Sequence, residues 1–188
     1  MHILGALLGF FLLSGGPVAL PAYADMPTEP PLPHYSVVLT AYNAVPEQTD
    51  ASPFETASGA FSNPEIIAAR SQDLAKKLPF GTIIEIDGPS VANNSCGYDI
   101  VEPIIGYRII ADTMSVRYTN RIDILFSTKS NYTLSNGGRH NASTVLGICN
   151  GATVRVVGFI DLAKTKHIPK TQAALIAIVR GDNALALK

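Results

Sequence analysis

Asp112 and Asp123 carry the most specific chemical signal in this chain. Both lie in the segment Tyr107–Ser127, which reads YRIIADTMSVRYTNRIDILFS. Asp112 follows an apolar run and opens a loop, whereas Asp123 falls inside the next run. Strand alternation puts Ile122, Ile124 and Phe126 on one face and Arg121, Asp123 and Leu125 on the other. A carboxylate among apolar neighbours is costly unless it is paired or solvated in a cleft. That cost favours a site at Asp123. The simpler alternative is a solvated strand face with Arg121 or Arg108 as ion-pair partner. Two carboxyls in one cleft suit acid–base chemistry, because the more enclosed one keeps its proton to higher pH.

Other chemistries find less support. Asp112-Thr113-Met114 departs from the Asp-Thr-Gly of aspartic proteases, and the chain has no second such triplet. A monomeric protease needs two, so only a dimeric form stays formally open. There is no G-x-S-x-G, and His34, His140 and His167 have no motif context. No glycine-rich phosphate loop occurs. With no CxxC and isolated histidines, neither a metal nor a cofactor is expected. The net charge of −1 and the absence of a basic block leave no footprint for nucleic acid.

The elements that must position the aspartates read mostly as short strands between turn-rich loops. Ser36–Tyr42, Thr82–Ile86, Tyr107–Ala111, Arg121–Ser127 and Thr153–Ile160 are the strands, with Tyr98–Val101 a further short one. Pro64–Leu78 has helical composition, stopped by Pro79. Residues 128–150 form a long polar insertion. Thr171–Arg180 reads as a closing helix or strand, which periodicity alone does not decide. Five or six short strands with so few helices predict a mainly β domain built as a small barrel.

The first 24 residues contain no Asp, Glu, Lys or Arg, and Ile3–Leu13 is almost wholly apolar. That run is shorter than the roughly 20 residues a span requires. Ala22-Tyr23-Ala24 then has the small-x-small pattern of a signal peptidase site, placing cleavage near Ala24–Asp25. An uncleaved apolar anchor is the alternative. The expectation is a signal peptide over 1–24, a Pro-rich lead-in over 25–34, and one domain over 35–188 with an extension from 161. After cleavage no stable membrane span remains. Export, to the periplasm, the cell envelope or the medium, puts Cys96 and Cys149 in an oxidising space. They could form one bridge closing a loop of about 53 residues. Two separate buried thiols are the other possibility.

A set of motifs in order carries a resemblance. These are Thr-Ala-Tyr (Thr40–Tyr42), Thr-Ala-Ser-Gly (Thr56–Gly59), Leu-Pro-Phe-Gly-Thr (Leu78–Thr82), Ala-Asp-Thr (Ala111–Thr113) and Arg-Ile-Asp-Ile-Leu-Phe (Arg121–Phe126). The arrangement over residues 37–127 resembles the bacterial 3D domain, named for three aspartates. The resemblance implies a six-stranded double-psi β-barrel with one or two short helices, related to the barrel of membrane-bound lytic transglycosylase A. Asp112 and Asp123 match the family's second and third aspartates. Arg70 and Ser71 stand where the first would be, Asp73 comes a few residues late, and Met114 replaces a glycine.

What the resemblance implies is an exported enzyme that cuts the glycan strand of peptidoglycan without water. Asp123 would be the acid and Asp112 the neighbour that tunes it or contacts sugar. Burial beside Ile122 and Ile124, with a second carboxylate nearby, would raise the acid's pKa. Thr40, Tyr42, Thr56 and Ser58 would line the cleft and hydrogen-bond sugar hydroxyls. For the threonines and serine, turn and strand-end hydrogen bonding is the plainer role. The alternative function is a non-catalytic barrel binding wall polysaccharide, of the expansin or rare lipoprotein A type, since a fold does not settle a function. A secreted inhibitor or structural domain is the third reading.

Overall fold

The computed structural model describes residues 32–90, 96–135, 137–165 and 168–181. The expected signal peptide and residues 25–31 of the lead-in lie outside the described residues, as do His167 and the last seven positions of the extension. The mainly β architecture expected from the sequence is present. Six strands close a barrel: β1 (His34–Asn43), β2 (Ile67–Arg70), β3 (Thr82–Asp87), β4 (Arg108–Thr113), β5 (Arg121–Phe126) and β8 (Cys149–Phe159). Around the barrel the order is β1-β5-β2-β4-β3-β8. The pairs β1–β5 and β2–β4 are parallel, and the other four are antiparallel. Parallel neighbours need crossover connections. The loops after β1 and β4 supply walls of the cleft described below.

Strands β2, β4 and β5 bury apolar side chains on both faces of the wall. Ile110, Ile122, Ile124 and Phe126 join one apolar cluster. Ile67, Ala69, Ile109, Ala111 and Leu125 join a second. Removing each large aliphatic side chain from water contributes about 1.5–3 kcal/mol. Gly81, between the 3₁₀ turn after β2 and the start of β3, is a position only glycine can hold. Its φ is +97°, and a Cβ there would overlap the Ile160 carbonyl.

Three expectations are corrected. Pro64–Leu78 is not a helix: Ile67–Arg70 is the central strand β2, and only Gln72–Leu74 forms a 3₁₀ turn. All four residues of β2 are buried between β4 and β5, so tertiary pairing overrides the helical preference of alanine. Tyr98–Val101 is a helix, α1, rather than a strand. Tyr98 and Val101 are its buried pair, spaced one turn apart, and the Tyr98 hydroxyl donates to the Ile86 carbonyl at 2.8 Å. The last barrel strand starts at Cys149, four residues before the expected Thr153.

The open alternatives also resolve. Gln172–Val179 is a helix, α3, whose first turn is capped by Thr171 Oγ1 accepting the Ala174 N–H. The extension is tied to the barrel, because Gln172 donates to the carbonyls of Glu65 and Tyr107 and accepts the Tyr107 N–H. The 128–150 insertion holds a two-stranded ribbon, β6 (Asn131–Thr133) with β7 (Arg139–Asn141), and helix α2 (Ala142–Leu146). Asn43 fastens it to the barrel, donating to Asn141 Oδ1 and accepting from Ser143 Oγ. Cys96 and Cys149 are bridged, with Cα atoms 5.3 Å apart.

Arg108 is the largest fully buried side chain. Its Nε donates to the Ile105 carbonyl at 2.6 Å and its Nη2 to Ile104 at 2.8 Å. The Nη1 reaches Pro64 at 2.7 Å and Leu125 at 3.1 Å. Burial pushes its pKa down to about 9. Among the described residues neither Arg108 nor Arg121 forms a salt bridge, so the ion pair considered for Asp123 is not formed by either arginine.

Candidate functional site

The registers of four adjacent strands align one row of side chains across the barrel wall. Thr40 of β1 lies opposite Asp123 of β5, Asp123 opposite Ala69 of β2, and Ala69 opposite Asp112 of β4. Strands are spaced about 4.8 Å apart, so the backbones at Asp123 and Asp112 stand about 10 Å apart with a methyl group between them. The small side chain at Ala69 leaves the space above the row open. That space is a cleft of about 720 Å³ lined by Tyr42, Thr56, Ala57, Ala69, Asp112 and Asp123.

The two aspartates are held differently. Asp112 belongs to β4 rather than to the loop mouth. Its Oδ1 accepts the N–H groups of Ala57 and Thr113, each at 2.9 Å. Its Oδ2 accepts the Tyr42 hydroxyl at 2.8 Å. Burial, followed by the Asp112 charge, holds the Tyr42 phenol well above its usual range, so this proton stays on Tyr42. Asp123 accepts one bond among the described residues, from Thr40 Oγ1 to Oδ1 at 2.7 Å. Its Oδ2 is left for whatever enters the cleft.

Burial dominates the electrostatics of Asp123 and pushes its pKa up to about 6. The Thr40 hydrogen bond and the Arg121 charge oppose that shift, while Asp112 adds a small push upward. The side chains of Ile122 and Ile124 are not the cause expected of them, because they join the core on the opposite face of β5.

The remaining expected residues divide. Thr40 is buried and bonds Asp123, and Tyr42 lines the cleft through its bond to Asp112. Thr56 lines the cleft, but its hydroxyl is shared with Ser58 Oγ at 3.0 Å and accepts the Ala60 N–H. Ser58 lies outside the lining, and its N–H docks on the Ala111 carbonyl at 3.1 Å. Together they form a turn that aims the Ala57 N–H at Asp112. Arg70 and Ser71 face away from chemistry. Arg70 Nε donates to the Leu78 carbonyl, and buried Ser71 accepts the Arg121 N–H. Asp73 receives the Asn120 N–H, so this segment builds the turn that leads into β5.

The cleft has residues that the motifs did not single out. Glu47, Asp50 and Glu55 line it from the loop after β1, and Arg117 and Tyr118 from the loop after β4, beside Met114 of the motif. The signal available for the first group was loop length, since unstructured connections this long in a compact domain are usually functional. Among the described residues no group of three His, Cys, Asp or Glu is placed to hold a metal ion. Neither a family model nor any curated protein matches the sequence.

Proposed function

We propose that the protein cleaves the glycan strand of peptidoglycan in the manner of a lytic transglycosylase, with Asp123 as the single acid. The observation that carries this reading is the half-buried Asp123 carboxyl. It sits in a large polar cleft, has one oxygen without a partner among the described residues, and keeps its proton to about pH 6. The resemblance to three-aspartate barrels supplies the substrate class, and the apolar amino terminus supports an exported protein acting in the cell envelope.

The chemistry balances on one carboxyl. Asp123 gives its proton to the glycosidic oxygen as the bond from the anomeric carbon breaks. Its carboxylate then takes the proton of the same sugar's 6-hydroxyl while that oxygen bonds to the anomeric carbon. The products are a new hydroxyl end and a 1,6-anhydro end, and no water is consumed. Ordinary glycoside hydrolysis needs a second carboxyl free to attack or to activate water. Asp112 is committed to three donors, which favours the one-carboxyl route. Its negative charge in the same cleft supports the positive anomeric centre.

One observation supports a second reading, a barrel that binds wall polysaccharide without cutting it. The position of the family's first aspartate is filled by Arg70 and Ser71, both used in the scaffold. Incubation of the purified protein with purified peptidoglycan, followed by mass spectrometry, separates the two. Anhydro-muropeptides, lost in Asp123→Asn, are the result expected of the enzyme. Wall that is bound but intact would select the binding module.

A further inference from the structure

When Asp123 releases its proton, the row across the barrel offers the new anion little help. Thr40 supplies one hydrogen bond, Ala69 is apolar, and Asp112 repels. On the same face of β5, two residues earlier, stands Arg121. Positions i and i+2 of a strand lie about 6.8 Å apart, within reach of an arginine side chain, although among the described residues the two side chains form no salt bridge as they stand. The Arg121 guanidinium rests over the Tyr118 ring, 4.9 Å from its centroid, and Tyr118 lines the cleft with Asp123. Its Nε is buried and has no hydrogen-bond partner among the described residues. Such an orphaned donor is rare in folded proteins and requires an explanation.

The approach of Arg121 is fixed from behind. Its backbone N–H donates to Ser71 Oγ at 3.0 Å. Asn120 before it adopts a φ of 49°, held by its N–H on the Asp73 carboxylate and its side chain on the Ser36 carbonyl. These bonds fix the backbone from which the side chain leaves, and its buried Nε–H is unspent among the described residues.

We propose that Arg121 is the positioning cation of Asp123, its unpartnered Nε–H receiving the Asp123 carboxylate once the proton has left. The idea rests on Asp123 being the acid of the proposed reaction. Other charged or titratable groups around Asp123 do not fill this role. Tyr42 on β1 is bonded to Asp112 of β4, and β2 presents only Ala69. Glu47, Asp50 and Glu55 on the loop after β1 are acidic. Arg108 is committed to carbonyls, and Arg117 is exposed and stacked on Tyr118 at 4.8 Å.

Nuclear magnetic resonance of the full protein tests this without substrate. The Asp123 carboxyl carbon should titrate near pH 6, and the Arg121 Nε–H signal should move with the same midpoint. In Arg121→Gln the Asp123 midpoint should rise by about 0.5–1 in pH, because a nearby positive charge no longer favours the ionised form. Arg121→Lys, which keeps the charge, should stay within about 0.3 in pH of the wild type. A flat Arg121 Nε–H signal across the Asp123 titration overturns the proposal, as does an unchanged midpoint in Arg121→Gln. Should that variant fail to fold, the wild-type Nε–H trace decides alone. Intact glycan together with these midpoint changes would remove the proposed reaction and leave the Arg121–Asp123 pair standing. Cleaved glycan with a flat signal would do the reverse.

Discussion

Arg108 and Asp123 are both charges taken out of water on neighbouring parts of the barrel, and they are treated in opposite ways. Arg108 gives its donors to carbonyls of Pro64, Ile104, Ile105 and Leu125, and its guanidinium lies over the Phe126 ring. It is fully buried, so no ligand reaches it. Among the described residues Asp123 has one partner, one open oxygen and a cleft in front of it. A buried charge that is saturated by backbone is scaffold, and its desolvation is offset locally. One left undersaturated beside a cavity destabilises the fold, and that cost is the signature of a reagent. The two residues thus give an internal standard for each other.

The largest expected effect is on the scaffold side. Arg108→Met should cost about 3–5 kcal/mol, because several buried carbonyls lose their donors at once. Urea denaturation measures it, and a loss under about 1 kcal/mol would erase the contrast with Asp123. On the reagent side, Asp123→Asn should lower glycan cleavage by about 10²–10⁴ while the circular dichroism spectrum stays that of the wild type. Asp112→Asn should cost less, about tenfold to a hundredfold, since an amide still accepts the Ala57 and Thr113 N–H groups through its oxygen. Equal losses for the two aspartates would mean that they act as one unit.

Much of this contrast was legible in the sequence on one side only. The alternation of Arg121–Phe126 announced a strand with Asp123 set against its apolar face, because period-two patterning survives any tertiary context. The motif order put Thr40, Asp112 and Asp123 into a single reading, and the strand register brings them into one row. Arg108 was not legible as a clamp, since its partners are backbone carbonyls at Pro64, Ile104, Ile105 and Leu125, and a carbonyl has no residue identity. The strand Ile67–Arg70 was hidden for a related reason. Two alanines suit a helix locally, and only the pairing of β4 and β5 on either side makes them a strand. Their smallness has a use that composition could not disclose, because Ala69 is what leaves the cleft open between the aspartates.

The smallest expected effect is the most diagnostic. The ordinary pKa of an aspartate is 3.8, and in the fold Asp123 stands at about 6. Between those values the folded protein holds a proton that the unfolded chain has released, so stability falls as pH rises through this window. The full penalty is present above pH 6 and absent below 3.8. Linkage makes that penalty about 3 kcal/mol for a fully enclosed carboxyl, and about 1–3 kcal/mol for one that is half-buried. Asn at this position carries no charge and still accepts the Thr40 hydroxyl. Asp123→Asn should therefore be more stable than the wild type by that amount at pH 7–8, and equal to it near pH 3.5. Thermal denaturation across this range gives the comparison. A wild type that gains on the variant as pH rises from 4 to 6 would show a carboxylate already compensated by its surroundings. Asp123 would then belong with Arg108 among the scaffold charges, and the cleft would lose its acid.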